Sequence, residues 1–466
     1  MKNLITNKHK LFGTDGIRGT PGVYPLTDDM LAVIAAAVAQ SIERGQLSSR
    51  LNQRVKRTVP KIVIGKDTRL SGDKIEKIIA DSIKSFGIDV LCAGTITTPG
   101  ISFLTKKLEA DVGIMISASH NKATDNGIKF FNAKGHKFSE SEEKKIEDII
   151  FENLANPQKW FIKKKGRVCE VRYAQDQYVR FLKSTVKGLK LKGIKIALDC
   201  AWGAAAPFAR KLFIDLGAKV VSIHDKPSGH SINVGGALDP NFLKKLVLES
   251  KADIGIAVDG DGDRGILVDE KGHTVDGDYT IAIIARYLRA KNKLAKNTVV
   301  GTVMSNYGLK ESLQQAGVKI ICTNVGDKYV LEALVANNLN VGGEQSGHII
   351  FFDYLSTPDG ILTALQILQV IKETKRPLSE LCRCMTKFPQ ILVNIKVKEK
   401  KPFEQMPLVE AKLKEFTDRL KDEGRILLRY SGTENLARVM VEGKDKELID
   451  NIAHSLASEI KQEIGE

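Results

Sequence analysis

The sequence predicts an α/β protein, with three related mixed α/β domains and a C-terminal α+β domain. Three observations carry that reading. The chain of 466 residues is too long for one hydrophobic core, and at ~150 residues per domain it holds about three or four. One supersecondary pattern recurs three times along it, and after about residue 388 the periodicity changes.

The recurring pattern is strand, polar or glycine turn, amphipathic helix, glycine, strand, which reads as a βαβ unit. In the first copy Lys61-Ile-Val-Ile-Gly-Lys-Asp67 is a strand, residues 75–85 have helical spacing, and Phe86-Gly87-Ile88-Asp89-Val90 returns. In the second, Lys195-Ile-Ala-Leu-Asp-Cys200 leads through 207–216 to Gly217-Ala218-Lys219-Val220-Val221. In the third, Val299-Val300-Gly301-Thr302-Val303-Met304-Ser305 leads through 309–315 to Gly317-Val318-Lys319-Ile320-Ile321. The tail differs: residues 391–397 alternate like a half-exposed strand, and 451–464 have helical spacing. Candidate linkers near 163–172, 269–272 and 387–390 divide the chain into 1–170, 171–270, 271–386 and 387–466.

Composition narrows the class. Apolar, charged and glycine contents are those of a soluble globular protein. The first ten residues are polar and basic with no apolar core, unlike a signal peptide, and the run 31–39 suits a buried helix rather than a membrane span. Six cysteines form no regular framework, and Cys382-Arg-Cys384 lacks a second pair for zinc, so reduced thiols in a cytoplasmic protein are expected. The net charge of +15 comes with lysine runs at 163–165, 187–195 and 396–401. No aromatic residues or recognition motif accompany them, which favours solvated faces over nucleic-acid binding and leaves a field that suits an anionic substrate.

Four polar stretches carry candidate chemistry. Gly113-Ile-Met-Ile-Ser117-Ala-Ser119-His120-Asn121 is a buried strand ending in small residues, with a turn at Asp125-Asn126-Gly127 and then Lys129. Small neighbours leave the Ser119 hydroxyl unshielded, as a nucleophile or carrier of a transferable group requires; alone, the stretch could be an ordinary strand-to-loop junction. Asp259-Gly-Asp261-Gly-Asp263-Arg264 places carboxylates at alternate positions, where they repel unless a cation compensates them. Glycines let all three face one point, which suits a hard divalent ion. A calcium loop is the rival, since Glu270 falls at its twelfth position, but Arg264 stands where that loop needs glycine. A solvated acidic turn is the plain alternative.

Gly342-Gly-Glu344-Gln345-Ser346-Gly-His348 offers hydroxyl-binding groups and a titratable ring between glycines, which suits a sugar. Arg429-Tyr-Ser431-Gly432-Thr433-Glu-Asn435, with Arg438 following, makes an anion nest suited to phosphate, with helix capping as the structural alternative. Near the start, Phe12-Gly-Thr-Asp15-Gly-Ile-Arg18-Gly19 is glycine-rich, and Arg18 is a plausible phosphate clamp.

The ordered motifs Ser-Ala-Ser-His-Asn, Asp-Gly-Asp-Gly-Asp-Arg, Gly-Glu-Gln-Ser-Gly-His and Arg-Tyr-Ser-Gly-Thr-Glu resemble the α-D-phosphohexomutase superfamily over essentially the whole chain. The start motif, the third motif, Val303-Met-Ser-Asn306 and Val325-Gly-Asp327 are similar to the branch that acts on glucosamine phosphates. The resemblance implies that the four domains surround a central cleft and that Ser119 is a phosphoserine, with Asp259, Asp261 and Asp263 holding Mg²⁺ against it. It implies interconversion of glucosamine 6-phosphate and glucosamine 1-phosphate through glucosamine 1,6-bisphosphate, an isomerase reaction that supplies amino-sugar nucleotides and cell-wall precursors. Arg18, His120, Lys129 and His348 match positions near the transferring group, Lys129 and His348 as proton-transfer candidates. Arg264, Glu344, Gln345 and Ser346 would bind substrate, and Arg429, Ser431, Gly432, Thr433 and Arg438 the phosphate that is not reacting. A phosphosugar is the expected partner, with no nucleic acid or membrane, in a monomer or homodimer.

The chain departs from the family pattern at Lys122 and Asn435, where proline is usual, at Trp202 for asparagine, and at Lys328 for arginine. Loss of proline at 122 is expected to loosen the serine loop. A longer basic loop at 46–57 has no assigned role. The rival activities are phosphoglucomutase or phosphomannomutase, and, in another class, a basic binding protein that kept the fold without the chemistry.

Overall fold

A computed structural model describes residues 10–13, 15–47, 59–155, 166–431 and 435–466. The first sheet holds β1 (Ile17–Gly19), β2 (Lys61–Lys66), β3 (Asp89–Thr95), β4 (Val112–Ile116), β5 (Asn126–Asn132) and β6 (Val168–Glu170), ordered β1-β5-β4-β2-β3-β6. β2 pairs in parallel with β3 and β4, and β5 returns antiparallel beside β4. Strands buried on both faces read as near-continuous apolar runs, as Val112–Ile116 does. The helix Asp28–Glu43, capped by Thr27, is buried along 33–39 because it packs against the helices Gly72–Lys84 and Glu140–Ala155.

The second sheet holds β7 (Lys195–Asp199), β8 (Lys219–Ile223), β9 (Ile254–Val258), β10 (Gly265–Asp269) and β11 (Thr274–Val275), ordered β11-β10-β9-β7-β8. The third holds β12 (Thr298–Thr302), β13 (Lys319–Thr323), β14 (Val341–Gly343) and β15 (Ile349–Phe351), ordered β13-β12-β14-β15. One arrangement therefore recurs. The first strand of each repeat is flanked by two parallel partners, and a fourth strand turns back antiparallel on the third. The strands expected near 61–67, 195–200 and 299–305 are the first strands of these repeats.

Two of the expected linkers carry structure of their own. Residues 269–272 form the turn between β10 and β11, where Asp269 Oδ1 accepts the Lys271 and His273 N–H groups at 2.9 and 2.8 Å. Within 163–172, β6 joins the first sheet beside β3; residues 163–165 lie outside the described residues, as does most of the basic loop at 46–57.

By compactness the chain forms two units, one of Met1–Met304 with Val318–Cys382, the other of Ser305–Gly317 with Arg383–Glu466. In the second, β16 (Gln390–Lys396), β17 (Gly424–Tyr430) and β18 (Leu436–Gly443) form an antiparallel sheet ordered β16-β18-β17. The long helix Lys446–Ile464 buries Ile449, Ile452, Leu456 and Ile460 on it, and Asp445 caps that helix. The helix Tyr307–Gln315 belongs to this unit, although in sequence it is the crossover of the third repeat. No helix among the described residues is long and apolar enough to cross a membrane. All six cysteines are free.

Candidate active site

Ser119 lies in the turn between β4 and β5, buried, with φ at +51°. A left-handed backbone costs a non-glycine residue roughly 1 kcal/mol or more, so its surroundings must hold it. They do so on both sides. The Ser119 N–H donates to Ser117 Oγ at 2.8 Å, and Ser117 Oγ donates to Asp67 Oδ2 at 2.7 Å. The Ser119 carbonyl accepts from Arg69 Nη2 at 2.9 Å and from Asn233 Nδ2 at 2.8 Å. The buried Arg69 guanidinium also donates to the carbonyls of Asn121, at 2.9 Å, and Asp125, at 2.8 Å, and to that of Lys122. The loop that lacks a proline at 122 is thereby clamped through its carbonyl oxygens. The Ser119 hydroxyl donates to Asp259 Oδ2 at 3.1 Å and lies 3.3 Å from His120 Nδ1.

Asp259, Asp261 and Asp263 occupy the corresponding turn of the second repeat, between β9 and β10. All are fully buried, and one carboxylate oxygen of each lies within 4.8 Å of the others. Gly262 makes the turn possible with φ at +73°. Burial and the charges of Asp263 and Asp261 push the Asp259 carboxyl up to about 8. Asp263 is also buried, yet the Lys129 and His348 charges hold it well below the usual carboxylate range. Asp261 receives the Thr98 hydroxyl on Oδ2 at 2.5 Å, while its Oδ1 is buried without a hydrogen-bond partner. Three converging hard-oxygen ligands, one of them unsatisfied, fit Mg²⁺. The calcium-loop alternative fails, because β10 follows at once and Glu270 accepts the Ser379 N–H instead, at 3.2 Å.

Lys129, on β5, is buried with its Nζ 2.8 Å from Asp15 Oδ2, 2.8 Å from Asp261 Oδ2 and 3.1 Å from Asp263 Oδ2. Burial opposes its charge, but Asp15, Asp261 and Asp263 raise it well above the ordinary lysine range. It therefore stays charged, a hydrogen-bond donor and a fixed positive charge among three carboxylates. Asp15 also binds Arg18 Nη2 at 2.5 Å and Lys137 at 2.6 Å, and Lys137 reaches Asp327 at 2.7 Å.

The turn between β14 and β15 carries the third motif. His348 Nδ1 lies 2.8 Å from Glu344 Oε2 and its Nε2 lies 3.1 Å from Asp263 Oδ1. Burial works against the charged ring, but Asp263 outweighs it and His348 rises to about 10. His120 goes the other way, to about 4, through burial and the charges of Arg264 and Arg18. Arg264 reaches both rings, with Nη2 2.9 Å from His120 Nδ1 and Nε 3.2 Å from His348 Nε2.

Arg18, Ser119, His120, Arg264, Glu344, Ser346 and His348 all line one cleft of about 520 Å³, inside the ~300–1,000 Å³ range of small-molecule sites. Gln345 does not line it: the loop turns its side chain inward, where Nε2 is buried without a partner, and its carbonyl accepts the Gly277 N–H at 3.0 Å. Sequence reasoning missed Asp15, Asp67, Arg69, Thr98, Lys137 and Asn233. Asp67-Thr-Arg69 at the end of the first repeat's first strand carried the one usable signal.

In the second unit Arg429 on β17 stands directly opposite Arg438 on β18. Burial and the Arg438 charge lower Arg429, so an anion there would be favoured. Ser431 is buried at the end of β17, while Gly432 and Thr433 lie outside the described residues. Of the other departures, Lys328 forms a buried pair with Glu143 at 3.2 Å, and the Trp202 ring lies 5.1 Å from the His224 ring. The Asn435 carbonyl accepts the Val397 N–H at 3.0 Å.

Three repeats of one sheet, each presenting a polar turn to one cleft, define the phosphohexomutase class. The comparisons agree. Phosphoglucomutase/phosphomannomutase alpha/beta/alpha domains I, II and III match residues 9–156, 176–272 and 276–388, and the C-terminal domain of those enzymes matches 392–459. The crystal structure of a phosphoglucomutase/phosphomannomutase family protein from Burkholderia thailandensis is similar, with a TM-score of 0.79 and 22% identity over 98% of each chain. That of N-acetylphosphoglucosamine mutase from Aspergillus fumigatus, in complex with GlcNAc-6P and magnesium, has a TM-score of 0.63 and 18% identity, over 99% of this chain and 98% of that one. Phosphoglucosamine mutase from Geobacter metallireducens is 46% identical over 98% of this chain and 99% of its own. The chain belongs to the phosphoglucosamine mutases of the phosphohexomutase superfamily.

Proposed function

We propose that the chain interconverts glucosamine 6-phosphate and glucosamine 1-phosphate, with Ser119 as the phosphoryl carrier. The observation that carries this reading is the Ser119 hydroxyl, held on a strained turn beside Asp259 in a cleft of substrate size. Phosphoserine at 119 gives its phosphoryl group to O1 of glucosamine 6-phosphate: the P–Oγ bond breaks, a P–O1 bond forms, the O1 proton leaves, and the freed Ser119 Oγ takes up a proton. The 1,6-bisphosphate turns over in the cleft. Its 6-phosphoryl group then passes to Ser119: a P–Oγ bond forms as the hydroxyl proton leaves, the P–O6 bond breaks, and O6 takes up a proton.

The chain's own groups have separable roles. Protonated His348 is the proton donor toward a leaving oxygen, neutral His120 is the neighbour able to accept, and Lys129, which holds its proton too tightly to give it up, is a fixed positive charge beside the moving group. Arg18 and Arg264 offset charge on the moving group. Glu344 and Ser346 face the sugar, and Arg429, Ser431 and Arg438 suit the phosphate that is not reacting. Asp259, Asp261 and Asp263 would hold Mg²⁺, which when bound neutralises charge on the transferring phosphoryl group. The Aspergillus fumigatus structure, solved with GlcNAc-6P and magnesium, supports both the substrate class and the metal. The product would feed amino-sugar nucleotide and cell-wall precursor synthesis in the cytoplasm, where free cysteines stay reduced.

The test is intact mass of the purified protein with mapping of any phosphate, together with turnover of glucosamine, glucose and mannose phosphates. The expected result is phosphate on Ser119, preference for glucosamine, and a fall of at least ~10³-fold in Ser119→Ala. Near-normal turnover in that variant would overturn the covalent route.

A further inference from the structure

From its contacts, we infer that Asn233 is a positioning residue that sets the distance between the serine loop and the aspartate loop. This rests on the phosphoserine reading above. Asn233 belongs to the second repeat but lies outside every motif of the site. Its Nδ2 donates to the carbonyls of Ser119, at 2.8 Å, and Asn121, at 3.0 Å. Its Oδ1 accepts the N–H of Gly260 at 2.7 Å, between Asp259 and Asp261. One planar amide thus ties the turn carrying the nucleophile to the turn carrying the carboxylates, with each of its ends matched to the right partner. The Ser119 Oγ to Asp259 Oδ2 distance of 3.1 Å spans the same two turns.

The other restraints on the Ser119 backbone come from its own domain: Arg69 on its carbonyl and Ser117 on its N–H. Thr98 and Lys129 of the first repeat reach the carboxylates of the aspartate loop, whereas Asn233 ties the backbone of one loop to the backbone of the other. Its own backbone is fixed, with φ at +68° and its N–H donating to the Ala201 carbonyl at 2.9 Å. Asparagine and glycine both accept that conformation, so glycine at 233 removes the side chain without forcing the backbone.

Displacing a reacting group by about 1 Å can cost ~10²-fold in rate while leaving binding groups in place. In Asn233→Gly, kcat should therefore fall by between ~10- and ~100-fold, with KM for the sugar phosphate within about threefold of wild type. Asn233→Asp keeps the acceptor for Gly260 but turns an oxygen toward two carbonyls, so its kcat should fall at least as far. Hydrogen exchange should quicken at the Gly260 amide and across 117–121 in Asn233→Gly. A kcat within twofold of wild type in either variant, or a loss appearing in KM alone, would overturn the inference. If Asn233→Gly does not fold, Asn233→Asp decides by the same criteria. If Ser119→Ala keeps its turnover, the phosphoserine reading fails, and exchange alone judges Asn233: unchanged protection at 117–121 and Gly260 would overturn it.

Discussion

Asp359 is fully buried and caps the helix Gly360–Thr374 through Oδ1, which accepts the Ile361 and Leu362 N–H groups at 3.0 and 2.9 Å. Its Oδ2 accepts the Tyr178 hydroxyl. Burial pushes the carboxyl up from 3.8 to about 6. The folded state therefore holds this proton more tightly than the unfolded chain does. The group favours the native state most below pH ~4, and that contribution is lost as pH rises to ~6, by about 3 kcal/mol at 1.36 kcal/mol per unit. Asparagine is an equally good cap but does not titrate. The stability of Asp359→Asn relative to wild type should therefore rise by about 2 kcal/mol between pH 4 and 7, as read from urea midpoints; a constant difference would refute the buried titration. At this scale the sequence revealed what contiguous residue types reveal. Ser119 and the three aspartates stood out because their chemistry is written in neighbouring residues. Arg69 and Asn233 did not, because they act on Ser119 from 50 and 114 positions away. Gln345 shows the opposite failure: composition suggested a sugar contact, and the turn put its side chain inside.

The three sheets give the motifs a common address. Ser119, the three aspartates and Glu344–His348 each occupy the turn between a repeat's third strand and its antiparallel fourth. The first two strands of each repeat were legible in the sequence, where a helix and a glycine separate two apolar runs, and so was the third strand of the first repeat, the apolar run before Ser119. The last pair in the third repeat, β14 and β15, has three residues in each strand, too few to show a period. The turn between β9 and β10 is also where backbone freedom matters most. Gly262 has φ at +73°, and a Cβ there would meet Thr97 Cγ2 at 2.7 Å. Gly262→Ala should cost about 1–3 kcal/mol of stability and shift Asp261 and Asp263 together. Activity should fall more than for a surface substitution of equal destabilisation. Unchanged urea midpoint and turnover would show that the aspartate turn tolerates another conformation.

At the scale of the molecule, compactness joins a distant segment to the C-terminal part that the sequence reading began at 387. The C-terminal unit includes 305–317, contributed by the third repeat, and the reason lies in Glu442. This carboxylate is fully buried on β18 and binds Arg425 Nε at 2.7 Å, Asn306 Nδ2 at 3.1 Å and the Tyr307 N–H at 3.2 Å. Asn306 caps the helix Tyr307–Gln315 and also exchanges hydrogen bonds with the Phe388 backbone, at 2.9 and 3.1 Å. No periodicity signals such a dependence, since it is a polar match between residues over 130 positions apart. A fragment beginning at 383 would leave Glu442 with Arg425 alone. Each buried charged group deprived of a partner loses ~1–3 kcal/mol, so two lost donors cost roughly 2–5 kcal/mol, much of the stability of a small domain. A fragment of 383–466 should therefore unfold at clearly lower urea than one with 305–317 joined to it by a flexible linker. Asn306→Ala in the joined fragment should return part of the difference. Equal midpoints for the two fragments would mean that the helix is a passenger, and that the C-terminal sheet and its long helix are stable without it.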